Sequence, residues 1–162
     1  MDTEMTEPLV PPAASLAWEV RAYQPDDEQQ LLALYERVFK RPRAVAAWRW
    51  KLRGRTPPFE TVWVAATPAG QVVGHYGGIP LSLKLGDRVV PAVHAVEAMT
   101  HPAYRRQGML TRLGEAAHTA WAAAGQEAVI GLPNDQWGTR NWALGYRPLF
   151  PLAWLRFPLH NL

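Results

Sequence analysis

The stretch THPAYRRQGML, residues 100–110, lies where the hydrophobic pattern of the chain changes from strand to helix. Residues 89–100 read as a strand, whereas apolar residues recur at helical spacing after Gly108. A glycine there lets the backbone approach a ligand closely, and the free amides of the first helical turn lie at the positive end of the helix dipole. With Arg105 and Arg106 beside them, these amides predict a binding site for a diphosphate. The alternative is an ordinary turn with a capping glycine and solvated arginines.

Three β segments precede this turn. They are Thr61 to Ala66, Val72 to Leu85 and Val89 to Thr100, and the second is predicted to break around Gly-Gly-Ile-Pro at residues 77–80. Their connections are short and rich in turn residues: Pro-Ala-Gly before the second segment and Gly-Asp-Arg after it. The three strands are therefore expected to be antiparallel neighbours.

The helix after Gly108 joins two strands. Gly125 ends it, and a short buried strand follows from Ala128 to Leu132. The apolar face of the helix is formed by Leu110, Leu113, Ala117, Ala120, Trp121 and Ala124. Strand, helix and strand make a βαβ unit, which requires parallel pairing. The fold class is therefore α/β or α+β with a mixed, mainly antiparallel central sheet.

Further elements are predicted at both ends of the chain. A strand over residues 16–23 is followed by a helix that starts at Asp26-Asp27 and ends near Lys40, and a second helix covers about residues 44–52. After the βαβ unit, a helical segment ends at Leu144-Gly145 and a last strand covers residues 150–157.

Length and composition indicate one globular domain. The chain has 162 residues, of which 48% are hydrophobic and 19% charged, and no apolar run reaches the roughly 18 residues of a membrane span. Residues 1–15 read as a flexible tail without the features of a secretory signal, so residues 16–162 are expected to form a single cytoplasmic domain with no membrane contact. With no cysteine, disulfides, thiolate metal sites and cysteine nucleophiles are excluded. The sequence also lacks histidine pairs at metal-ligand spacing next to a carboxylate, the phosphate-binding loop of nucleotide triphosphatases and the G-x-S-x-G motif of serine hydrolases.

Positive charge is concentrated in one part of the chain. Seven of the seventeen Lys and Arg residues fall in residues 40–55, interleaved with Trp48 and Trp50. A nucleic-acid patch, a membrane-surface helix and a platform near an acidic ligand are all compatible with this pattern. The favoured interpretation is a surface helix whose tryptophans face the core and whose arginines are solvated, so no nucleic-acid partner is expected.

Two separated motifs resemble those of the GNAT superfamily of N-acyltransferases. The family's acyl-CoA motif is Arg or Gln, two residues, Gly, one residue, then Gly or Ala, which residues 105–110 resemble, with Leu110 in place of the small residue. Asn134 stands eleven residues before Gly145-Tyr146, similar to the Asn and the Gly-aromatic pair of the family. The order of elements agrees over residues 19–146. The resemblance implies an acyltransferase fold with helices on both faces of the sheet, and acetyl-CoA or another acyl-CoA as cosubstrate, without a metal.

The resemblance also implies which residues hold the cosubstrate. Met99, Thr100 and His101 would pair with the amides of the pantetheine, and Asn134 would contact the same arm. The pyrophosphate would bind at Arg105, Arg106, Gln107, Gly108, Met109 and Leu110. The acceptor would be a primary amine on a small molecule or peptide.

In such a reaction the amine attacks the thioester directly, and because a free alkylamine has a pKa of about 10, a base must accept its proton. Glu97 is the first candidate, directly or through a water; His94 and His101 are weaker ones. The tyrosine that often donates a proton to the departing thiolate is replaced by Asn141. Tyr146, Tyr104 or water would then substitute. A non-catalytic acyl-CoA-binding or interaction module is the alternative function.

The resemblance leaves two further expectations. Trp48, Trp50, Trp137 and Trp142 fall in segments that border the acceptor cleft in the family, so they would line a pocket for a bulky or cationic amine, with a place in the core as the alternative for each. The chain ends at Leu162 after one terminal strand, whereas the common core has two. A missing edge strand would mean truncation, a short variant, or an edge covered by a partner, as in a homodimer.

Overall fold

The computed structural model describes residues 17–54, 59–133 and 143–149. Its centre is a five-stranded sheet with the strands in sequence order. Strands β1 to β4 pair antiparallel with their neighbours, and β5 lies parallel to β4, which confirms the predicted mixed sheet. The strands are β1 (Glu19–Ala22), β2 (Val62–Ala66), β3 (Val72–Leu85), β4 (Arg88–Thr100) and β5 (Ala128–Gly131).

Tight turns connect β2, β3 and β4, as their sequences predict. Gly70, with a φ of +81°, lies between β2 and β3, and Gly86, with a φ of +60°, lies between β3 and β4. Residues with a side chain rarely adopt this left-handed conformation, so glycine fixes the two hairpins and with them the antiparallel order.

The predicted break in β3 around residues 77–80 is wrong. The strand is continuous from Val72 to Leu85, and Pro80 pairs with Val93 of β4. Its other neighbour, β2, pairs with β3 only as far as Gly77. Because Pro80 lies where β3 has one partner strand, its missing N–H removes no ladder bond on the other side.

Within the described residues, three α-helices cover the two faces of the sheet: α1 (Glu28–Phe39), α2 (Val45–Leu52) and α3 (Met109–Ala123). Helices α1 and α2 pack on one face, where Leu31, Trp48 and Leu52 join Val62 and Met99 in a buried core. No described helix combines the length and apolar character that crossing a bilayer requires.

Helix α3 packs on the opposite face, close to β3. A Cβ atom on Gly74 would lie 2.5 Å from the sulfur of Met109, and one on Gly78 would lie 2.7 Å from the ring of Trp121. These two glycines therefore allow the backbone of β3 to approach α3. Leu113, Ala117 and Trp121 of the predicted apolar face are fully buried, whereas Ala124 is exposed.

The chain divides into two compact units, residues 1–132 and 133–162. Of the second unit, residue 133 and residues 143–149 are described, including Gly145 with a φ of +80°. The predicted tail at residues 1–15 and the predicted strand at 150–157 lie outside the described residues. The extent of the domain therefore stays a prediction.

Candidate functional site

The turn between β4 and α3 has a left-handed backbone at two positions. Arg106 has a φ of +62°, and Gly108, the N-cap of α3, has a φ of +71°. A non-glycine residue held in this region costs about 1–3 kcal/mol, and such strain occurs preferentially at functional sites. Alternation of left-handed and right-handed residues turns successive amides into a concave anion-binding surface.

The amides of this turn are available to a ligand. The first amide of α3 with a backbone acceptor is that of Arg112, which donates to the carbonyl of Gly108 at 3.1 Å. Among the described residues, none accepts a hydrogen bond from the amides of residues 106–110. Apart from its chain neighbours and the adjoining helix backbone, no described atom lies within 4 Å of where a Cβ atom on Gly108 would be, so the space beside this residue is open. The arrangement is that of an anion site at a helix N-terminus.

Charged side chains of one sign surround the turn. Arg105 and Arg106 are exposed, and the first turn of α3 contains no acidic residue. Arg112, which the sequence analysis did not single out, adds a third cation and lies 5.5 Å from the ring centre of Trp18. Trp18 in turn donates its indole N–H to the side-chain oxygen of Gln107 at 3.2 Å, which anchors the turn to the start of β1.

The strand leading into the turn has an open edge. His101 donates its backbone N–H to the carbonyl of Val73 at 2.8 Å, so its main chain faces β3. Since successive residues of a strand turn their N–H and C=O groups to opposite sides, the main chain of Thr100 faces away from β3. Strand β5 pairs with β4 only from Ala92 to Ala95, so no described strand covers Thr100 on that side.

The open edge is where the resemblance puts the pantetheine. Of the three residues predicted to pair with it, Thr100 directs its main chain toward this edge. The side chain of Met99 is buried in the core under α1 and α2, and the N–H of His101 is already bonded. Pairing with pantetheine stays a prediction for all three, and the geometry favours Thr100.

A β-bulge distorts β4 immediately before this edge. Val96 pairs with Gly77 and Met99 with His75, so β4 holds one residue more than β3 over this interval. Glu97 lies in the bulge with a φ of +52°. The bulge therefore re-aims the Glu97 side chain at the point where β4 separates from β5.

The ring of His75 is hydrogen-bonded to the backbone of the bulge. Its ring is fully buried, and Nδ1 lies 2.6 Å from the carbonyl oxygen of Glu97. Because a carbonyl only accepts, Nδ1 must carry the proton and Nε2 has none; Nε2 is buried without a partner among the described residues. A Cβ atom on Gly77 would lie 2.9 Å from this ring, so the glycine makes room for it. The predicted site did not include His75.

Two cations hold the Glu97 side chain. Arg43 and Lys51 both donate to Oε1, Lys51 at 2.8 Å. The side chain is 9% exposed, and Oε2 is sealed without a partner in the described part of the chain. Burial raises the pKa of the Glu97 carboxyl, but the hydrogen bonds and charges of Arg43 and Lys51 outweigh it and hold the pKa below its usual range. Glu97 is therefore ionised at neutral pH and is a weak base.

The two weaker candidates for the base have other environments. His101 accepts a hydrogen bond on Nδ1 from the backbone N–H of Ala103 at 3.2 Å, which caps the 3-10 turn at Pro102–Tyr104. His94 lies on the part of β4 that pairs with β5 at Ile130. Both positions fit structural histidines.

Most cations of the basic stretch are paired with carboxylates. Arg43 and Lys51 share Glu97, Arg49 pairs with Glu28 and Arg53 pairs with Glu60. This pairing neutralises part of the positive charge that a nucleic-acid surface would use.

The two tryptophans of α2 differ in burial. Trp48 is buried in the core, whereas Trp50 is 81% exposed. The expectation that both face the core is therefore right for Trp48 and wrong for Trp50, because residues two apart on a helix do not share a face.

Burial lowers the pKa of four histidines: His75, His94, His101 and His118. The native protein therefore keeps these imidazoles neutral at a pH where the unfolded chain, with a histidine pKa of about 6.5, takes up protons. Because the unfolded state binds more protons, this stability is complete above about pH 6.5 and is lost as the pH falls toward the native pKa values.

We expect the melting temperature to fall between about pH 7.5 and 5.5, and the fall to be smaller in His75→Gln. Fully buried His75 contributes a slope of up to about 1.4 kcal/mol per pH unit in this range, which glutamine cannot. Thermal unfolding at constant ionic strength measures the two slopes. Equal slopes would show that folding does not lower the pKa of His75.

Several predicted site residues lie outside the described residues. These are Asn134, Asn141, Trp137 and Trp142. Their roles stay predictions.

A family model described as acetyltransferase (GNAT) domain matches residues 19–143. Among curated proteins, none matches the chain. Three solved structures show the same fold. An aminoglycoside N-acetyltransferase in complex with CoA has a TM-score of 0.72 at 15% identity, covering 92% of this chain and 99% of its own. Glucosamine-6-phosphate N-acetyltransferase from Arabidopsis thaliana has a TM-score of 0.68 at 11% identity, covering 88% and 99%.

The third is a GNAT family N-acetyltransferase from Escherichia coli in complex with CoA. It has a TM-score of 0.63 at 22% identity and covers 81% of this chain and 69% of its own. These likenesses show the fold, and the family model spans most of the chain and both sides of the turn between β4 and α3. The chain therefore belongs to the GNAT acetyltransferase family, whose general activity is acyl transfer.

Proposed function

We propose that this protein is an N-acetyltransferase that moves an acetyl or short acyl group from acyl-CoA to a primary amine. The observation that carries the proposal is the turn around Gly108, whose amides have no acceptor among the described residues and which has open space at Gly108, next to the open edge of β4. A diphosphate and an amide-containing arm are the two chemical features that such a turn and such an edge would hold together.

The cosubstrate would lie across the end of β4. The amides of Gln107, Gly108, Met109 and Leu110 would bind the pyrophosphate, with Arg105 and Arg106 adding charge from the exposed side. The main chain of Thr100 would pair with the pantetheine. Two of the fold neighbours are described in complex with CoA, which supports this class of cosubstrate.

The thioester supplies an activated acyl group, and the amine nitrogen attacks its carbonyl carbon as the bond from carbon to sulfur breaks. We propose that Glu97 accepts the proton that the amine loses. Oε2 is sealed and Oε1 already accepts from Arg43 and Lys51, so the proton would reach Oε1 through a water rather than directly from the amine. Tyr104 or Tyr146 would protonate the departing thiolate. Fold neighbours whose names specify aminoglycosides or glucosamine 6-phosphate support an amine acceptor.

We expect the protein to release free thiol from acetyl-CoA when primary amines are present, and Glu97→Gln to lower kcat/KM. Loss of a general base typically costs about 10²–10⁴-fold, while acetyl-CoA affinity should change by less than about threefold because Glu97 is not at the pyrophosphate turn. Thiol release with a colorimetric reagent measures the rate. A matched control is Glu127→Gln, whose carboxylate pairs with Arg88 in an exposed ion pair.

Asn141, at the position where the family often has tyrosine, favours a second candidate: a module that binds acyl-CoA without turnover. Tight binding of acetyl-CoA with no thiol release from any amine would support this module and contradict the enzyme. Location in the cytoplasm and a homodimeric state stay predictions.

A further inference from the structure

We propose that the amine acceptor carries an anionic group, a carboxylate or phosphate, and that Arg43 and Lys51 bind it. The inference rests on the proposed function, because it takes the attacking amine to lie beside Glu97. It concerns the charge of the acceptor, which the fold and the family leave open.

The charges around Glu97 do not balance. Arg43 and Lys51 both donate to the same carboxylate oxygen, so two positive charges meet one negative charge. His75 adds none, because burial lowers its pKa and keeps it neutral at pH 7. The neighbouring cations of α2 differ, since Arg49 and Arg53 each have a carboxylate of their own, Glu28 and Glu60. Among these four cations, the excess positive charge is therefore located at Glu97.

The two cations also have hydrogen-bond donors to spare. A guanidinium has five N–H donors and an ammonium three, and Glu97 accepts one from Arg43 and one from Lys51. No other acceptor for either group occurs among the residues that the structure describes. The side chains of Lys51 and Arg43 are 29% and 13% exposed, whereas Oε2 of Glu97 is sealed. An anion arriving from solvent can therefore reach the donors but not that oxygen.

The Arg43 guanidinium is preorganised. It lies 4.9 Å from the ring centre of Tyr35, and its side chain is 13% exposed. Stacking on an aromatic ring fixes the plane of the guanidinium and lowers the entropy lost when it binds a planar anion. Such a group suits a carboxylate or phosphate through two parallel hydrogen bonds.

The position of the cations matches the expected approach of the acceptor. Arg43 lies in the connection from α1 to α2, and Lys51 lies on α2. Both reach the bulge of β4 from the same layer, where β4 separates from β5. An amine that attacks next to Glu97 must therefore bind within reach of both. A second ammonium group would be repelled by the net positive charge, whereas an anionic group would satisfy the spare donors.

The test compares acceptors of one size that differ in distal charge: β-alanine, propylamine and 1,3-diaminopropane, with 2-aminoethyl phosphate to separate phosphate from carboxylate. We expect kcat/KM for β-alanine or 2-aminoethyl phosphate to exceed that for propylamine by about tenfold or more, since hydrogen bonds to charged groups are the strong ones. The diamine should be the poorest. The anionic amine with the higher kcat/KM identifies the preferred anion.

Two variants test whether Lys51 causes the preference for an anionic amine. Lys51→Met should lower the ratio of anionic amine to propylamine by about tenfold. Arg49→Met is the matched control, because this arginine lies on the same helix but is paired with Glu28, and it should leave the ratio unchanged. Equal rates for all amines, a preference for the diamine, or an unchanged ratio in Lys51→Met would overturn the inference.

A binding measurement keeps the inference separate from the proposed function. If no amine releases thiol, the enzyme is excluded, and the melting temperature of the CoA-loaded protein still reports on the anion site. We expect β-alanine or 2-aminoethyl phosphate to raise it in the wild type and not in Lys51→Met, with propylamine ineffective at the same ionic strength. A rise with propylamine alone, or no rise with any of the three, would contradict the anion site.

Discussion

Replacement of Gly108 by Asp is expected to weaken the binding of CoA by at least about 100-fold, which corresponds to about 2.7 kcal/mol. Two effects act together. The new carboxylate would stand in the open space at Gly108, next to the amides of the turn, where it would repel the pyrophosphate and compete for the donors. A φ of +71° also disfavours any side chain at this position, which would distort the turn. Isothermal titration with CoA measures the loss.

Gly125→Asp is the matched control for this experiment. Gly125 follows the other end of α3, has a φ of +81° and also has open space where a Cβ would lie. Its replacement carries the same backbone penalty and the same charge, but no ligand is expected there. Both variants should lose similar stability, and only Gly108→Asp should lose affinity. Unchanged CoA binding in Gly108→Asp would contradict the proposed pyrophosphate site.

Replacement of Trp121 by Ala is expected to destabilise the protein by about 3–5 kcal/mol, the range for large aromatic residues in a core. The side chain is fully buried, donates its indole N–H to the carbonyl of Glu60 at 3.1 Å, and stacks on Tyr76. Because β3 carries glycine at position 78, no neighbouring side chain there can fill the space that alanine would leave. The melting temperature should fall by roughly 10 °C.

Trp50→Ala provides the comparison, since the same change is made at a residue that is 81% exposed on α2. An exposed substitution of this kind usually changes stability by less than about 0.5 kcal/mol. Denaturant unfolding of both variants measures the difference. Similar losses for Trp121 and Trp50 would show that α3 does not pack on β3 through Trp121.

Local sequence was sufficient for most of the fold. Glycines at positions 70 and 86 specify the two hairpins, and Gly125, with a φ of +81°, follows α3 as its predicted stop. The change of period after Gly108 predicts where α3 begins. These features depend on residues close together in the chain, so backbone preferences and hydrophobic periodicity suffice to predict them. The predicted break in β3 failed because Pro80 is tolerated only for a non-local reason, the end of β2 beside it.

The candidate site also has one part that local sequence predicts and one part that it does not. The residues of the turn, from Arg105 to Leu110, are contiguous, and the glycine turn that begins α3 was predictable from one short motif, whereas anion binding there stays a prediction. The surroundings of Glu97 were not predictable from any short motif. Arg43, Lys51 and His75 lie 54, 46 and 22 residues away from it in the chain. No sequence pattern indicated that Arg43 and Lys51, two cations of the basic stretch, donate to this carboxylate.

The sequence by itself determined the order of strands and helices, the two hairpins and the glycine turn at the start of α3, because each follows from short-range backbone preferences. The tertiary structure alone decided the bulge at Glu97, the ring of His75 beneath it and the convergence of Arg43 and Lys51 on one oxygen. The physical reason is that burial and charge pairing arise between residues that only the packing of helices on the sheet brings together.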